Sequence, residues 1–315
     1  MTLIIPFVCL AIGCAINWRG LPKKILNISD KTVTASLVIL MAIIGLNIGT
    51  SEEVMSNLGR IGFNCIVLCL GSIFFAVLLF VILEHTIMPL EEIRLKLLNE
   101  KGLDIEMPEG RKGPDPLLFI LPVAIAVGII AGKFLFPDIS ADALDTILNL
   151  SLILLYLGAG IALASSKTAF EYLRRLGFRI LLMPLAIFTG GILSGLVFGK
   201  ILGVNLLWSV TASGSMGYYS LPGAYMTEVY GVEAGVYGFL VNVLRDVCTI
   251  ALMPILVKIS KGAPIASGAG GCMDTMFMPV SRAVGPELSL VALLVGVLAT
   301  IIVPFWLPIS GLIFG

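Results

Sequence analysis

The sequence predicts an all-α polytopic membrane protein, with about eight transmembrane helices plus a re-entrant or broken segment and an inverted repeat of three spans. Three observations predict this. Hydrophobic residues make up 58% of the chain and charged residues only 13%, against roughly 25% charged in a soluble domain. Apolar stretches of about 17 to 25 residues, the length that crosses hydrocarbon, recur from one end of the chain to the other. A motif in the first third returns, altered, in the second. A net charge of zero and a pI near 6.6 leave no electrostatic footprint for nucleic acid. The lipid bilayer is the expected surrounding.

The first span, 2–17, opens apolar, with no basic leader and no small-residue cleavage site, so it is expected to be retained. Further spans are expected near 33–50, 62–84, 116–136, 144–164, 178–202, 234–257 and 288–312. A ninth stretch, 206–226, begins apolar and then reads TASGSMGYYSLPGAYM. Glycine and proline breaks free backbone groups that lipid cannot satisfy, so such a segment must face protein or a water-filled cavity. Cys9, Cys14, Cys65, Cys69, Cys248 and Cys272 lie within or beside apolar stretches, without CxxC or Cys/His spacing. They are assigned to packing rather than to a metal site or a disulfide.

Basic residues give the orientation, because they concentrate in cytoplasmic loops. Arg19, Lys23, Lys24 and Lys31 follow the first span; Arg94, Lys96, Lys101, Arg111 and Lys112 the third; Lys167, Arg174, Arg175 and Arg179 the fifth. The opposite loops hold only Arg60, Lys133 and Lys200. If 206–226 dips without crossing, Lys258, Lys261 and Arg282 join the basic side, giving sixteen residues against three. Eight spans with the N-terminus and C-terminus both outside are therefore expected.

The repeat sets the organisation. GLNIGTSEEVMSNLGRIGF from Gly45 and GIALASSKTAFEYLRRLGF from Gly160 align at an offset of 115, pairing Gly45 with Gly160, Ser51 with Ser166, Leu58 with Leu173, Arg60 with Arg175 and Gly62 with Gly177. Three spans per unit invert the second copy relative to the first, the usual plan of secondary transporters with a midplane site. A single transport domain over 1–315 then divides into repeat one (about 2–84), a cytoplasmic loop (85–115), repeat two (116–202) and a C-terminal site region (203–315).

The candidate site residues concentrate in that last region. Asn242, Asp246 and Thr249 share one face of the seventh span, with Arg245 at its edge. Charges at mid-membrane face a bundle interior and mark a path or a helix tie. In the first reading Asp246 binds a cation or a coupling proton. In the second, Arg245 and Asp246 tie helices together and each needs a partner elsewhere, since adjacent helical residues do not face one another. Glu52 and Glu53, inside the repeated motif, either form the first turn of a helix capped by Ser51 or line a cavity. Asp274, within GAGGCMDTMFMP, is either a third pathway acid or a cap. Tyr218 and Tyr219 can offer a cation-π face or serve as interface anchors, and Ser220 follows them in the broken segment.

The order SGSMGYYSLPGAYMTE (213–228), NVLRDV (242–247), MPILVK (253–258) and GAGGCMDTMFMPV (268–280) resembles the LysO-type lysine exporter family. The match is close over the C-terminal third and rests on the span pattern and the GLNIGTSEE region before it. The resemblance implies an eight-span exporter of bacterial or archaeal inner membranes, with both termini outside and one apolar segment that does not traverse. It also implies two intramembrane acids, which map onto Glu52 and Asp246; Asp246 stands where the family pattern suggests Glu.

No GxxxxGK[ST] phosphate loop is present, which favours an ion gradient over ATP as the driving force. The function expected is secondary active export of L-lysine, and of analogues such as thialysine, by proton antiport, with no cofactor beyond the coupling proton. A sodium-coupled transporter of another amino or organic acid is the alternative. An enzyme is not expected, because the lone His85 stands at a span end and no Ser/His/Asp set is evident. The expected partners are a small amino-acid substrate and lipid, with a homodimer left open.

Overall fold

The computed structural model describes residues 4–18, 20–99, 117–136, 141–165 and 177–315. Among these the only regular elements are helices, and five of them are long and apolar enough to cross a membrane: 24–50, 54–86, 178–202, 232–259 and 288–314. Shorter apolar helices cover 8–17, 120–134 and 146–161. Part of the loop expected over 85–115, and Ser166, Lys167, Leu173 and Arg175 of the repeated motif, lie outside the described residues.

The first helices are α1 (Ile4–Asn17), α2 (Lys23–Thr50), α3 (Glu52–Thr86) and a short α4 (Leu90–Asn99). Helix α2 starts ten residues before its apolar run, because its polar first turns continue the same helix. Ser51 alone separates α2 from α3; its backbone is extended and its hydroxyl accepts from the Val54 N–H at 3.4 Å. Next come α5 (Leu117–Phe134), α6 (Ala141–Ser165) and α7 (Leu182–Leu202), the last preceded by a 3-10 turn over Phe178–Leu181.

These helices pair α1 with α6, α2 with α5 and α3 with α7. Backbones touch at small residues, the means by which helices associate in lipid without a hydrophobic drive. Gly45 and Gly49 press on Ile125 and Ile129 of α5, while Gly128 and Gly132 press on Ala42 and Leu46 of α2. The steps of four on both sides make α2 and α5 parallel. Gly13 likewise meets Leu157 and Gly160, and Asn17 donates to the Ile161 carbonyl at 2.9 Å, so α1 lies along α6. The offset that carries Gly45 onto Gly160 also carries Gly13 onto Gly128.

The last third consists of α8 (Leu206–Gly214), α9 (Ser220–Tyr230), α10 (Val232–Ile259), α11 (Ala263–Gly268), α12 (Phe277–Val284) and α13 (Pro286–Phe314), with a 3-10 turn over Ala269–Met273. Cross-helix contacts fix directions. Asn64 bonds Tyr237 at 3.0 Å and Ser72 bonds Arg245 at 3.2 Å, so α10 runs parallel to α3. Ser194 bonds the Leu68 carbonyl at 2.9 Å and Gly190 packs on Ala76, so α7 runs antiparallel to α3. Helix α7 therefore ends, and α10 begins, at the end of the bundle where α3 starts, which we term the upper end.

The segment joining α7 to α10 accordingly enters and leaves at the upper end. Its first arm, α8, descends along α7, where Ser209 bonds the Gly195 carbonyl at 3.0 Å and Gly191 meets Ser213 and Gly214. Its second arm, α9, climbs back along α10, with Gly223 against Phe239 and Thr227 against Gly235. Helix α13 is antiparallel to α10: Gly296 packs on Cys272 and Met273, Ser310 receives the Thr211 hydroxyl proton at 2.9 Å, and Gly311 meets Tyr230. Hence 260–285 enters and leaves at the lower end, and two hairpins with helical arms approach each other from opposite ends of the bundle.

Candidate functional site

The two hairpin tips meet beside the middle of α10. Gly270 of the lower hairpin donates its N–H to the Met216 carbonyl of the upper one at 2.9 Å. Each tip contains a non-glycine residue at positive φ, Met216 (φ 52°) and Ala269 (φ 45°), and Gly217 follows at 85°. Such conformations cost of order 1–3 kcal/mol for a residue with a side chain and persist where surrounding contacts over-determine them. Here the contacts come from α10.

Asn242 secures the upper tip. Its Oδ1 accepts the Gly217 N–H at 2.7 Å, and its Nδ2 donates to the Ala212 carbonyl at 2.9 Å and to Gly238 in its own helix at 2.8 Å. Arg245 secures the lower hairpin: Nε donates to the Ser267 carbonyl at 2.9 Å, Nη2 to the Ala266 carbonyl at 3.1 Å and Nη1 to Ser72 Oγ on α3 at 3.2 Å. The guanidinium thus occupies the carbonyl end of α11, where the last peptide groups of a helix lack partners. Thr249 adds a hydroxyl contact with Ser267 at 2.7 Å.

Asp246 faces the other arm. Its Oδ2 accepts the Thr275 hydroxyl at 2.8 Å, whereas Oδ1, fully buried, has no hydrogen-bond partner among the described residues. Gly271 and Gly217 border that oxygen, and the absence of side chains there keeps it uncovered on that side. A fully buried carboxylate oxygen without a donor is uncommon and expensive. It is suited to a cation or a proton.

The structure gathers Asn242, Arg245, Asp246 and Thr249, all buried, at the tips of both hairpins. Arg245 and Asp246 do not pair with each other; each has its own partners across the bundle. Tyr218 and Ser220, joined through their side chains, lie in and just after the upper turn. Tyr219 packs edge-on against Phe239, with ring centroids 6.0 Å apart. Asp274, on the exposed side of the lower tip, accepts the Thr275 N–H at 2.5 Å and lies near Tyr218 and Asp246.

Glu52 is not brought to this cluster. It is exposed in the first turn of α3 behind the Ser51 cap, twenty residues before Ser72. That separation is roughly 30 Å along the helix. The Glu53 side chain lies outside the described residues. Sequence reasoning did not find Ser72, Ser267 and Thr275, because each is an ordinary hydroxyl whose role appears only once distant segments pack together. The signal available was the unmet need of Arg245 and Asp246 for separate partners.

A family profile described as Lysine exporter LysO matches residues 7–93 and 123–310, thereby including both hairpins and α10. The chain belongs to the LysO lysine exporter family. It is also 23% identical over 185 residues to Lysine exporter LysO of Escherichia coli (strain K12), covering 59% of this chain. The chain spans 60% of the length of that curated relative in the match. No solved structure matches it. Family membership and the apolar helices make this a multi-pass membrane protein.

Proposed function

We propose that this protein is a secondary active exporter of L-lysine, and of analogues such as thialysine, that exchanges substrate for protons across a bacterial or archaeal cytoplasmic membrane. The observation that carries the reading is the unpartnered Oδ1 of Asp246, between two hairpin tips that approach from opposite ends of the bundle. The name of the Escherichia coli relative and the family's description agree with it.

Lysine leaves the cell as a net monocation, against about 2.3 kcal/mol per elementary charge per 100 mV of inside-negative potential. Counterflow of protons offsets that term. Asp246 would bind the substrate's ammonium when facing the cytoplasm and a proton when facing outside. Cargo at Oδ1 would alter the Thr275 bond at Oδ2 and so loosen the second arm of the lower hairpin, giving alternating access. Glu52, at the upper end, would act where the path opens outside rather than in contact with Asp246.

In the proposed topology eight spans cross and the two hairpins are re-entrant. Lys258, Lys261 and Arg282 flank the lower hairpin, and Arg60, Lys133 and Lys200 stand towards the upper end, which supports a cytoplasmic lower end and termini outside. The pairing of α1 with α6 and α2 with α5 exchanges onto itself when α1, α2 and α3 are swapped for α5, α6 and α7. That supports the inverted repeat.

The test is efflux of labelled lysine from proteoliposomes under an imposed pH gradient, comparing the native protein with Asp246→Asn. Gradient-driven efflux that the substitution abolishes, in a variant that still folds, is the expected result. Equal efflux from both would make Asp246 structural.

A further inference from the structure

Besides Asp246 Oδ1, four buried side-chain polar atoms lack a hydrogen-bond partner among the described residues, Glu84 Oε2, Tyr156 Oη, Ser213 Oγ and Ser281 Oγ, and of these Tyr156 Oη belongs to the largest fully buried side chain. Tyr156, on α6, is fully buried, and its hydroxyl has no hydrogen-bond partner among the described residues. Helix α6 packs on α9, the returning arm of the upper hairpin. There the Tyr156 hydroxyl lies within electrostatic range of Tyr225, of Cys9 on α1 and of Tyr218, two residues before the first turn of α9. That turn is itself incomplete. Helix α9 has no side-chain cap, and the N–H groups of Ser220 and Leu221, both buried, find no acceptor among the described residues, while Pro222 has none to offer. A buried helix start with free donors attracts an anion, and a neighbouring free hydroxyl adds a further donor.

We propose that the Tyr156 hydroxyl and the first turn of α9 form the subsite for the α-carboxylate of the transported amino acid. The assignment rests on the amino-acid export reading above and adds the group that tells an amino acid from a simple amine. Asp246 would take a cationic end of the substrate, and the start of α9 the anionic one. The two ends of the zwitterion thereby contact α10 and the upper hairpin together, and a substrate lacking either end leaves buried groups unpaired. Asp274, near Tyr218, is placed for the α-ammonium that accompanies every α-carboxylate.

Tyr156→Phe removes only the hydroxyl, which has no partner to lose among the described residues, so the variant should fold and resist heat at least as well as the native protein. Binding to purified protein is measured for lysine, lysinamide, whose carboxylate is amidated, and cadaverine, which has none. The native protein should bind lysine about tenfold or more tighter than the other two, the scale of a hydrogen bond to a charged group. Tyr156→Phe should weaken lysine by about tenfold and leave cadaverine within about twofold. Equal weakening of all three ligands, or undiminished lysine binding, would overturn the subsite. Should another amino acid bind in place of lysine, with an acid-over-amide preference that Tyr156→Phe removes, the lysine reading fails and the subsite stands. Binding of no amino acid at all would overturn both.

Discussion

Arg245 offers the sharpest separation of a structural charge from a transporting one. Arg245→Met keeps an apolar stem of similar length and removes the guanidinium. Ser72 Oγ retains its bond to the Cys69 carbonyl at 2.9 Å, so the main losers are the Ala266 and Ser267 carbonyls, both buried at the end of α11. Each orphaned carbonyl costs about 1–3 kcal/mol, and relief from burying an isolated guanidinium offsets part of that. A net destabilisation of about 3 kcal/mol follows, on the order of 10 °C in apparent Tm. Tryptophan fluorescence of the detergent-purified protein during heating measures it. Backbone hydrogen exchange should rise selectively in 263–276, because the lost bonds belong to one arm of the lower hairpin. Unchanged exchange there, together with an unchanged melting profile, would refute the assignment of Arg245 as the clamp of that hairpin.

Gly45→Val places a branched side chain against the Ile125 backbone and should destabilise the α2–α5 crossing by about 1–3 kcal/mol or more, read as a lowered melting temperature. Gly62→Ala, where a Cβ meets nothing within 4 Å, is the matched control and should be neutral or slightly stabilising. Asn242→Leu leaves the Gly217 N–H without a partner and the Ala212 carbonyl with only the Ser215 N–H at 3.3 Å. It should cost about 1–3 kcal/mol and raise hydrogen exchange in 212–218, whereas undisturbed protection of that turn would show that Asn242 does not hold it.

The polar stripe on α10 was legible because a helix repeats its faces every three to four residues, and Asn242, Asp246 and Thr249 keep that spacing within an apolar run. The break in 206–226 was legible from its glycines and proline. Its return to the same end was favoured only through the placement of Lys258, Lys261 and Arg282, and the directions of α3, α7 and α10 now give a geometric reason. The second hairpin escaped recognition although GAGGCMDTMFMP stood out as a cluster. Its arms, α11 and α12, have only 6 and 8 residues, too few for periodicity to distinguish a short helix from a loop.

The adjacency of Arg245 and Asp246 suggests an ion pair to the eye, and helical geometry argues against it, since neighbours in sequence point about 100° apart. The structure follows the geometry: one charge goes to the arm ending at Gly268, the other to the arm that restarts through Thr275. This division has a mechanical consequence. The arm held by Arg245 is bound by two hydrogen bonds to a cation that stays charged at any working pH and that a third bond anchors to Ser72 on α3. The arm held by Asp246 depends on one bond to a carboxylate whose other oxygen, without a partner among the described residues, is the position we propose for cargo. Under that proposal a change of occupancy at the site acts on the second arm first, with the first arm as its fixed support. A site with both arms tied to Asp246 would have to release the whole hairpin at once, and one with neither tied to it would leave cargo without leverage on the fold.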